Sequence, residues 1–321
     1  MFILSLFTLS LPKMFDYDKW QEIFGTIRQN KLRTFLTAFG VAWGIFMLII
    51  LMGAGTGLQN GVFALFGSHA RNALYVGRNV TTMPYMGLPA GRLVRLTTDD
   101  IQAIKDEFPD ELEYIAPRLW MSSGVVAYKG KTGAFDVRGE THEMIKIDAI
   151  KIKEGRFINQ NDLKERRKVV VIGQKVKSQL FEEGEQAVGE WITVRGADFL
   201  IIGEVQSDRT NADDADEDEK TMYIPLSTAQ QMTNRHKGIG LFVCTINTKY
   251  SVSDVEPRLI ALLKKRKKIH PDDPRGFWTN NVEQEVKEIM GLFIGIKLLV
   301  WFVGVGSLLF GILGVGNIML I

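Results

Sequence analysis

The chain has very little cysteine and no excess of charge of one sign. Cys244 is the one cysteine among 321 residues, so the sequence excludes an intrachain disulfide framework and a multi-cysteine metal site. The 39 lysines and arginines nearly balance the 37 aspartates and glutamates, which leaves a formal net charge of +2. That balance provides no electrostatic basis for a dedicated nucleic-acid-binding protein.

Sequence motifs for catalysis, nucleotides and metals are also missing. Gly130-Lys131-Thr132 lacks the upstream glycine of a phosphate-binding loop, since Val125 stands there, and we predict no ATP site. Asp214, Asp216 and Asp218 alternate like a calcium loop, but the position that needs glycine is Glu219, which favours a solvated loop. The histidines show no metal spacing and no catalytic cluster stands out. We therefore expect no catalytic, cofactor or metal site.

Charge is absent from two long segments near the ends of the chain. No charged residue occurs between positions 34 and 68, and Lys297 is the single charge from 289 to 321. Within them, 35–53 and 298–321 have the roughly 20 apolar residues that a helix needs to cross a bilayer. A buried core helix is the alternative, but such a helix rarely runs this long without a polar face. The sequence predicts two transmembrane helices.

Flanking cations predict the orientation of the first helix. The cations that precede it are Lys13, Lys19, Arg28, Lys31 and Arg33, and the next one follows only at Arg71. Because cations accumulate on the cytoplasmic side, the N-terminus is predicted to be cytoplasmic and the middle of the chain to lie outside. The predicted parts are a cytoplasmic segment 1–33, a transmembrane helix 34–54, an outer domain 55–285, and a stalk with the second transmembrane helix, 286–321.

The outer domain has the pattern of a mixed fold. Two strand–helix–strand stretches flank a β-rich subdomain inserted at about 145–222. The predicted fold class is α+β, with transmembrane helices flanking a mixed α/β outer domain that contains this insertion.

An amphipathic helix is predicted ahead of the first span. Its apolar stripe and flanking cations are Trp20, Ile23, Phe24, Ile27, Arg28, Lys31 and Arg33. Such a stripe with a tryptophan is typical of a helix in the cytoplasmic membrane interface. It would serve equally as a docking face for a cytoplasmic partner.

Both spans carry features of helix packing. Apolar residues before the second span recur at spacings of four and three, at Val282, Val286, Ile289, Phe293 and Ile296. This is the seam of a coiled coil or stalk, or else an amphipathic helix packed on the outer domain. Small residues and one amide, which allow close approach of membrane helices, occur at Gly40, Gly44, Gly304, Gly306, Gly311, Gly314, Gly316 and Asn317. Glycine that is common by composition alone is the alternative.

Two expectations concern the ends of the chain. Residues 1–12 are apolar but lack a basic segment and a cleavage site, so we expect Met14 to be the initiator. The chain stops within the second span, so we expect it to be part of a longer protein.

Four passages resemble the MacB/FtsX-like family of ABC-transporter permeases, and its MacB-type members in particular. They are 30–40, Gly155-Arg156-Phe157 with Asp162, 169–173 with 199–203, and 311–321. The last passage, GILGVGNIMLI, carries the most specific match.

The resemblance implies a bacterial inner-membrane protein of several spans with its large domain in the periplasm. It also implies a cytoplasmic ABC ATPase, on the same or a separate polypeptide, and a second permease copy or paralogue. A periplasmic adaptor and an outer-membrane duct are further implied partners. ATP-driven motion would reach the periplasmic domain for export of a peptide, antibiotic, lipoprotein or similar envelope substrate.

Two other functions fit parts of the sequence. A two-span receptor with an extracytoplasmic sensor domain shares the topology up to Ile321. A membrane-tethered hydrolase would need a catalytic cluster, which the sequence does not provide.

Overall fold

The computed structural model describes residues 31–65, 72–148, 150–209 and 212–319. The predicted interfacial helix with Trp20, Ile23, Phe24, Ile27 and Arg28 lies outside these residues. The chain divides into two compact units. We call Asn60–Met290 the outer unit and the described parts of Met1–Gln59 with Gly291–Ile321 the helical unit.

Two long helices dominate the ends of the described chain. They are α1, Lys31–Leu65, and α9, Val282–Met319. Each contains a segment long and apolar enough to cross a membrane, Ala38–Gly61 in α1 and Val282–Ser307 in α9. At 1.5 Å per residue the helices are about 52 and 57 Å long, which exceeds the ~30 Å hydrocarbon core. Both helices therefore extend beyond the length that a bilayer needs.

The outer unit alternates strands with short helices. Its strands are β1 Ala73–Arg78, β2 Leu96–Thr97, β3 Leu112–Tyr128, β4 Lys131–Glu140, β5 Ile150–Gly155, β6 Val169–Gly173, β7 Trp191–Val194, β8 Ala197–Ser207, β9 Thr221–Pro225, β10 Gly238–Ile239, β11 Leu241–Ile246 and β12 Phe277–Asn281. Its helices are α2 Thr98–Glu107, α3 Met144–Ile147, α4 Gln160–Lys164, α5 Gln174–Leu180, α6 Ala212–Glu219, α7 Leu226–Met232 and α8 Val252–Lys267.

One half of the main sheet is open and antiparallel, in the order β12-β1-β11-β3. Side chains alternate between its two faces, as the period of a strand requires. Leu74 and Val76 join the apolar cluster that contains residues of α2 and α8. Ala73 and Tyr75 belong to the cluster on the other face, which also includes Val282 and Val286 at the start of α9.

The other half of the sheet closes on itself. The strands β3, β4, β9, β6, β8 and β7 pair in that order, and β7 returns to β3 through Val126 and Ala127. Strand β3 is long enough to serve both halves, since it pairs first with β11 and then with β4 and β7. The strands of the predicted insertion, 145–222, thus share this barrel with the long β3–β4 hairpin.

The predicted mixed α/β domain between two candidate membrane helices is confirmed. The loop predicted around Asp214, Asp216 and Asp218 is wrong, because this segment forms helix α6 and Asp218 is buried. Its acidic residues are held by cations, as when Lys175 and Lys220 contact Asp216, so the charge repulsion that favours a loop is offset. No group of metal-ligating side chains occurs in the described residues.

Candidate functional site: a helix pair and a buried ionic junction

Within the helical unit, α1 and α9 approach closely at two glycines. A Cβ atom on Gly44 would lie 2.0 Å from Oγ of Ser307, and one on Gly304 would lie 2.1 Å from Cδ1 of Leu48. Neither position has room for a side chain unless the facing residue moves. Small residues at such points let membrane helices pack closely. This packing stabilises their association, because lipid provides no hydrophobic driving force for it.

A polar contact lies further along the same helix pair. Nζ of Lys297 donates a hydrogen bond of 2.7 Å to Oε1 of Gln59. Toward the N-terminus of α1, the contacts to α9 shift toward its C-terminus, first to Gly304 and then to Ser307. The two helices are therefore antiparallel neighbours, which fits a chain that crosses a membrane and returns.

The remaining predicted packing residues differ in their surroundings. At Gly40 and Gly306, no atom of the described residues lies within 4 Å of the place that a Cβ atom would take. Two cations predicted for the interfacial helix, Lys31 and Arg33, lie in the first turn of α1, where Lys31 is exposed. Gly311, Gly314, Gly316 and Asn317 lie on the last turns of α9. Their part in helix packing stays a prediction.

The predicted stalk seam divides along α9. Val282 and Val286 are buried in the apolar cluster that also contains Ala73, on the face of the open sheet opposite α2 and α8. This matches the alternative of a helix packed on that domain. In the following turns Phe293 is buried and Ile289 is half-buried, whereas Ile296 is 44% exposed. The seam is thus covered at its start and only partly covered beyond it.

Six charged side chains form a cluster inside the outer unit, which we call the ionic junction. Its members are Arg118 on β3, Arg138 and Glu140 on β4, Asp148 after α3, Arg209 after β8 and Asp218 on α6. The most exposed side chain of the six, that of Arg209, is only 13% exposed. Buried charges of this kind need partners, because desolvation of an unpaired ion is costly.

Cations and anions alternate around the ionic junction. Arg118 contacts the Glu140 carboxylate and binds Asp148 at 2.8 Å. Arg209 then joins Asp148 at 3.2 Å to Asp218 at 2.8 Å. Arg138 lies 3.5 Å from Asp218 and two positions from Glu140 on the same strand. Three guanidinium groups thus balance three carboxylates.

The ionic junction lies where the open sheet meets the barrel. Arg118 is opposite Leu241 of β11, and the next residue, Leu119, is opposite Gly139 of β4. Two carboxylates of the ionic junction, Asp148 and Asp218, belong to the segment 145–222 and contact Arg118 and Arg209 respectively. The contacts therefore link the two halves of the outer unit at the strand that they share.

Burial raises the pKa of Glu140 to about 7, although Arg118 and Arg138 oppose the shift. Neither carboxylate oxygen receives a well-directed hydrogen bond from the described residues, which leaves desolvation dominant. Burial also raises the pKa of Tyr75, and the Asp148 charge adds to this effect. Protonation of Glu140 in the ionic junction is therefore coupled to folding of the outer unit.

Sequence reasoning did not find the ionic junction. Its members are spread from Arg118 to Asp218 and follow no short motif. The available signals were Arg118 inside an otherwise apolar strand pattern and the charges Arg138 and Glu140, two positions apart in the next strand. An unexplained charge inside a buried strand indicates an ionic partner.

The Gly155-Arg156-Phe157 passage has a packing role. Gly155 has φ +74°, and a Cβ atom there would lie 2.3 Å from the Ile202 carbonyl oxygen. Arg156 binds Asp162 at 2.6 Å, and Asp162 forms a capping box with Asn159 at the start of α4. These contacts stabilise a turn beside β8. A structural role therefore explains why glycine, arginine and aspartate occur at these positions.

Comparisons with known proteins agree with this architecture. A sequence profile of the MacB-like periplasmic core domain family matches residues 34–262. The macrolide export ATP-binding/permease protein MacB of Neisseria meningitidis is 26% identical over 316 residues, which are 96% of this chain and 46% of that protein. The pyoverdine export ATP-binding/permease protein PvdT of Pseudomonas putida is 26% identical over 91% of this chain and 42% of its own length. The chain spans about half the length of these relatives.

Solved structures of related fold match about two thirds of the chain. The periplasmic region of MacB from Actinobacillus actinomycetemcomitans matches with a TM-score of 0.55 and 19% identity, over 69% of this chain and 94% of that one. The extracellular domain of the transporter YknZ from Gram-positive bacteria matches with a TM-score of 0.54 and 13% identity, over 65% of this chain and 100% of that one. Since the family profile covers more than half of the residues, the chain belongs to the family of the MacB-like periplasmic core domain.

Proposed function

We propose that this chain is the permease part of an ABC exporter in the bacterial inner membrane, with its large domain in the periplasm. In this role it transmits ATP-driven motion from a cytoplasmic ATPase to the periplasmic domain. The observation that carries the proposal is the continuity of α9, which is one helix of 38 residues. Val282 and Val286 at its start are part of the domain core, and from Ile289 onward Lys297 is its only charged residue.

A continuous helix resists bending between its ends because every interior turn is hydrogen-bonded. Displacement of its membrane part therefore moves the strands against which its first turns pack. The ionic junction joins the open sheet to the barrel through Arg118 and Arg209. We infer that the two halves of the outer unit respond to such a displacement together.

The partners follow from the same proposal. Residues 1–321 contain no phosphate-binding loop, and we assign ATP hydrolysis to a cytoplasmic ABC ATPase on the same or a separate polypeptide. Exposed apolar side chains such as Phe39, Trp43 and Phe302 in the helical unit require lipid or further transmembrane helices around them. We assign part of this surface to a second permease copy or paralogue in a multi-pass assembly. A periplasmic adaptor and an outer-membrane duct complete the export path.

The substrate class rests on relatives alone. Their names give export of macrolides and of pyoverdine. For this chain we propose export of an envelope substrate, such as a peptide, an antibiotic or a lipoprotein.

A flexible insertion in α9 tests the proposal. Three glycines after Glu288 should abolish stimulation of the cytoplasmic ABC ATPase in nanodiscs, while the permease and the ATPase still co-purify. Glycine lowers helix propensity by about 1 kcal/mol per residue, so the insertion breaks the rigid connection. Three glycines after Gly87, in a loop whose residues are largely exposed, serve as the control and should leave stimulation intact. Full stimulation with the α9 insertion, or no co-purification of the unmodified proteins, would overturn the proposal.

A further inference from the structure

The strand β12 ends the main sheet and has a partner on one side within the described residues. It pairs with β1 from Phe277 opposite Arg78 to Asn281 opposite Leu74, and the strand order places it at the end of the sheet. An edge strand presents backbone N–H and C=O groups that another extended chain can bind.

The hydrogen bonds of β1 establish which groups of β12 point outward. Ile246 N–H donates to the Asn72 carbonyl oxygen at 3.0 Å, and Arg78 N–H donates to that of Gly240 at 3.4 Å. The even-numbered residues of β1 therefore direct their backbone groups to β11. Because successive residues of a strand alternate in direction, its odd-numbered residues face β12.

The odd-numbered residues of β1 are opposite Trp278 and Asn280. These two residues of β12 therefore exchange hydrogen bonds with β1. Thr279, between them, directs its N–H and C=O away from the sheet. It lies at the middle of the five-residue strand, so the free edge is centred on this residue.

The opposite end of the sheet is protected and β12 is not. Strand β5, at that other end, carries Lys151 and Lys153, both exposed, and edge lysines are a common defence against strand addition. The sequence of β12, FWTNN, has neither lysine nor proline. Its edge therefore lacks the residues that usually prevent another strand from pairing.

An acidic cleft of about 330 Å³ follows this edge. It is lined by Glu256 of α8 and by Glu285 and Glu288 of α9, and no Lys, Arg or His lines it among the described residues. Asparagines at the end of β12 hold two of the carboxylates in place. Asn280 donates to Glu285 at 3.0 Å, and Asn281 donates to Glu256 at 2.9 Å.

The cleft also has an aromatic wall. Trp278 lines it and is 46% exposed, although tryptophan buries much apolar area when it can. An exposed indole beside carboxylates favours a cation with an aliphatic stem, which can pack on the ring. Carboxylic side chains such as those of Glu285 and Glu288 are costly in hydrocarbon, so we place these turns of α9 outside the hydrocarbon of the membrane.

We propose that the edge of β12 binds an extended segment of a partner protein that carries Lys or Arg at alternate positions. The segment adds a strand through the backbone groups of Thr279, and its cations face Glu285 and Glu288, on the same face of β12 as Trp278 and Asn280. Alternation in the partner is required because side chains of a strand point to one face at every second residue. The interaction needs no ATPase, so it can be tested apart from the transport function.

The test uses the full chain in lipid nanodiscs and a labelled hexapeptide of alternating lysine and valine, with fluorescence anisotropy as the readout. Thr279→Pro removes the outward N–H without affecting the hydrogen bonds to β1, and proline is tolerated on an edge strand. We expect it to weaken binding at least tenfold, whereas Thr279→Val, which keeps the N–H, should bind like the native chain. A peptide with glutamate in place of lysine should not bind.

A second arm leaves the protein unchanged. The same peptide methylated on alternate backbone nitrogens should lose binding in one of its two registers of methylation, because one set of N–H groups faces β12. This arm also decides the matter if Thr279→Pro fails to fold. Absence of peptide binding, or binding that is insensitive to both methylation patterns, would overturn the proposal. A change in the oligomeric state of the Thr279→Pro chain, measured by mass photometry, would assign the edge to a second copy instead and equally overturn it.

Discussion

At the scale of single residues, ionisation of the buried carboxyl group of Glu140 lowers the stability of the folded chain. Its pKa is raised from 4.5 to about 7, so the folded chain holds a proton there that the unfolded chain has already lost. The free energy of unfolding should therefore fall as the pH rises from about 4.5 to about 7, by on the order of 3 kcal/mol for this group. Glu140→Gln should remove this contribution and should be more stable than the native chain at pH 8.

Urea unfolding of the nanodisc-embedded chain at pH 5 and pH 8, followed by tryptophan fluorescence, measures this difference. Other titrating groups act equally in both proteins, so the comparison between them isolates Glu140. Glu165→Gln, at an exposed position, is the matched control and should follow the native pH dependence. Parallel pH profiles for Glu140→Gln and the native chain would contradict the argument.

A second residue-scale prediction concerns the turn at Gly155. Gly155→Ala should destabilise the outer unit through both a left-handed backbone and a clash with the Ile202 carbonyl oxygen. Gly184 also has a positive φ, +83°, but no atom lies within 4 Å of its Cβ position. Gly184→Ala should thus cost only the ~1–2 kcal/mol of the backbone conformation.

Thermal unfolding of the two alanine variants separates the clash from the backbone conformation. We expect Gly155→Ala to lose at least about 2 kcal/mol more than Gly184→Ala, because a backbone carbonyl cannot move aside like a side chain. Equal losses would mean that the Gly155 turn opens easily to accommodate the methyl group.

At the scale of elements, the packing of α1 on α9 depends on Gly304. Gly304→Ile should push α9 away from Leu48 and reduce the stability of the helix pair by about 1–3 kcal/mol, as overpacking does elsewhere. Gly306→Ile adds the same side chain two positions along, where nothing lies within 4 Å, and should have little effect. Heat-induced loss of monodisperse protein in detergent, followed by size-exclusion chromatography, compares the two.

The relative order of these two variants is the informative result. Similar losses for both would indicate that Gly306 faces another helix, in a second copy or another subunit. A loss confined to Gly306→Ile would contradict the packing of α9 on α1 through Gly304.

Sequence patterns predicted elements better than the contacts between them. The strand–helix–strand pattern indicated a mixed fold for the outer unit, which includes strand β3, Leu112–Tyr128, because such patterns are local. It did not indicate that the same strand leaves β11 for β4 and meets β7 at Val126. That closure depends on residues about 70 positions apart, and no local pattern records it.

Charge patterns were the least predictive. The acidic run around Asp216 indicated a solvated loop, whereas Lys175 and Lys220 neutralise it and permit helix α6. Helix packing was indicated by glycine spacing, and the structure places Gly44 and Gly304 at close contacts, whereas no atom of the described residues lies within 4 Å of the Cβ position at Gly40 or Gly306. Spacing identifies residues that allow close approach, but the partner helix decides which of them are used.

At the scale of the whole molecule, the proposed function requires the start of α1 and the outer unit to lie on opposite sides of the membrane. The single cysteine makes this testable, because Cys244 is fully buried and burial raises its pKa to about 12. A thiol with so little thiolate reacts slowly with maleimides. New cysteines in the otherwise unchanged chain therefore report their own position over a low background.

Lys249→Cys, at an exposed site of the outer unit, should react with a membrane-impermeant maleimide added to intact spheroplasts. Lys31→Cys, at the exposed start of α1, should react only after the membrane is opened, since the cations around it favour the cytoplasmic side. The native chain should stay unlabelled in both conditions and react only when denatured. If Lys31→Cys were labelled from outside while Lys249→Cys was protected, the orientation would be reversed, and a cytoplasmic ATPase could not drive the outer unit through α9.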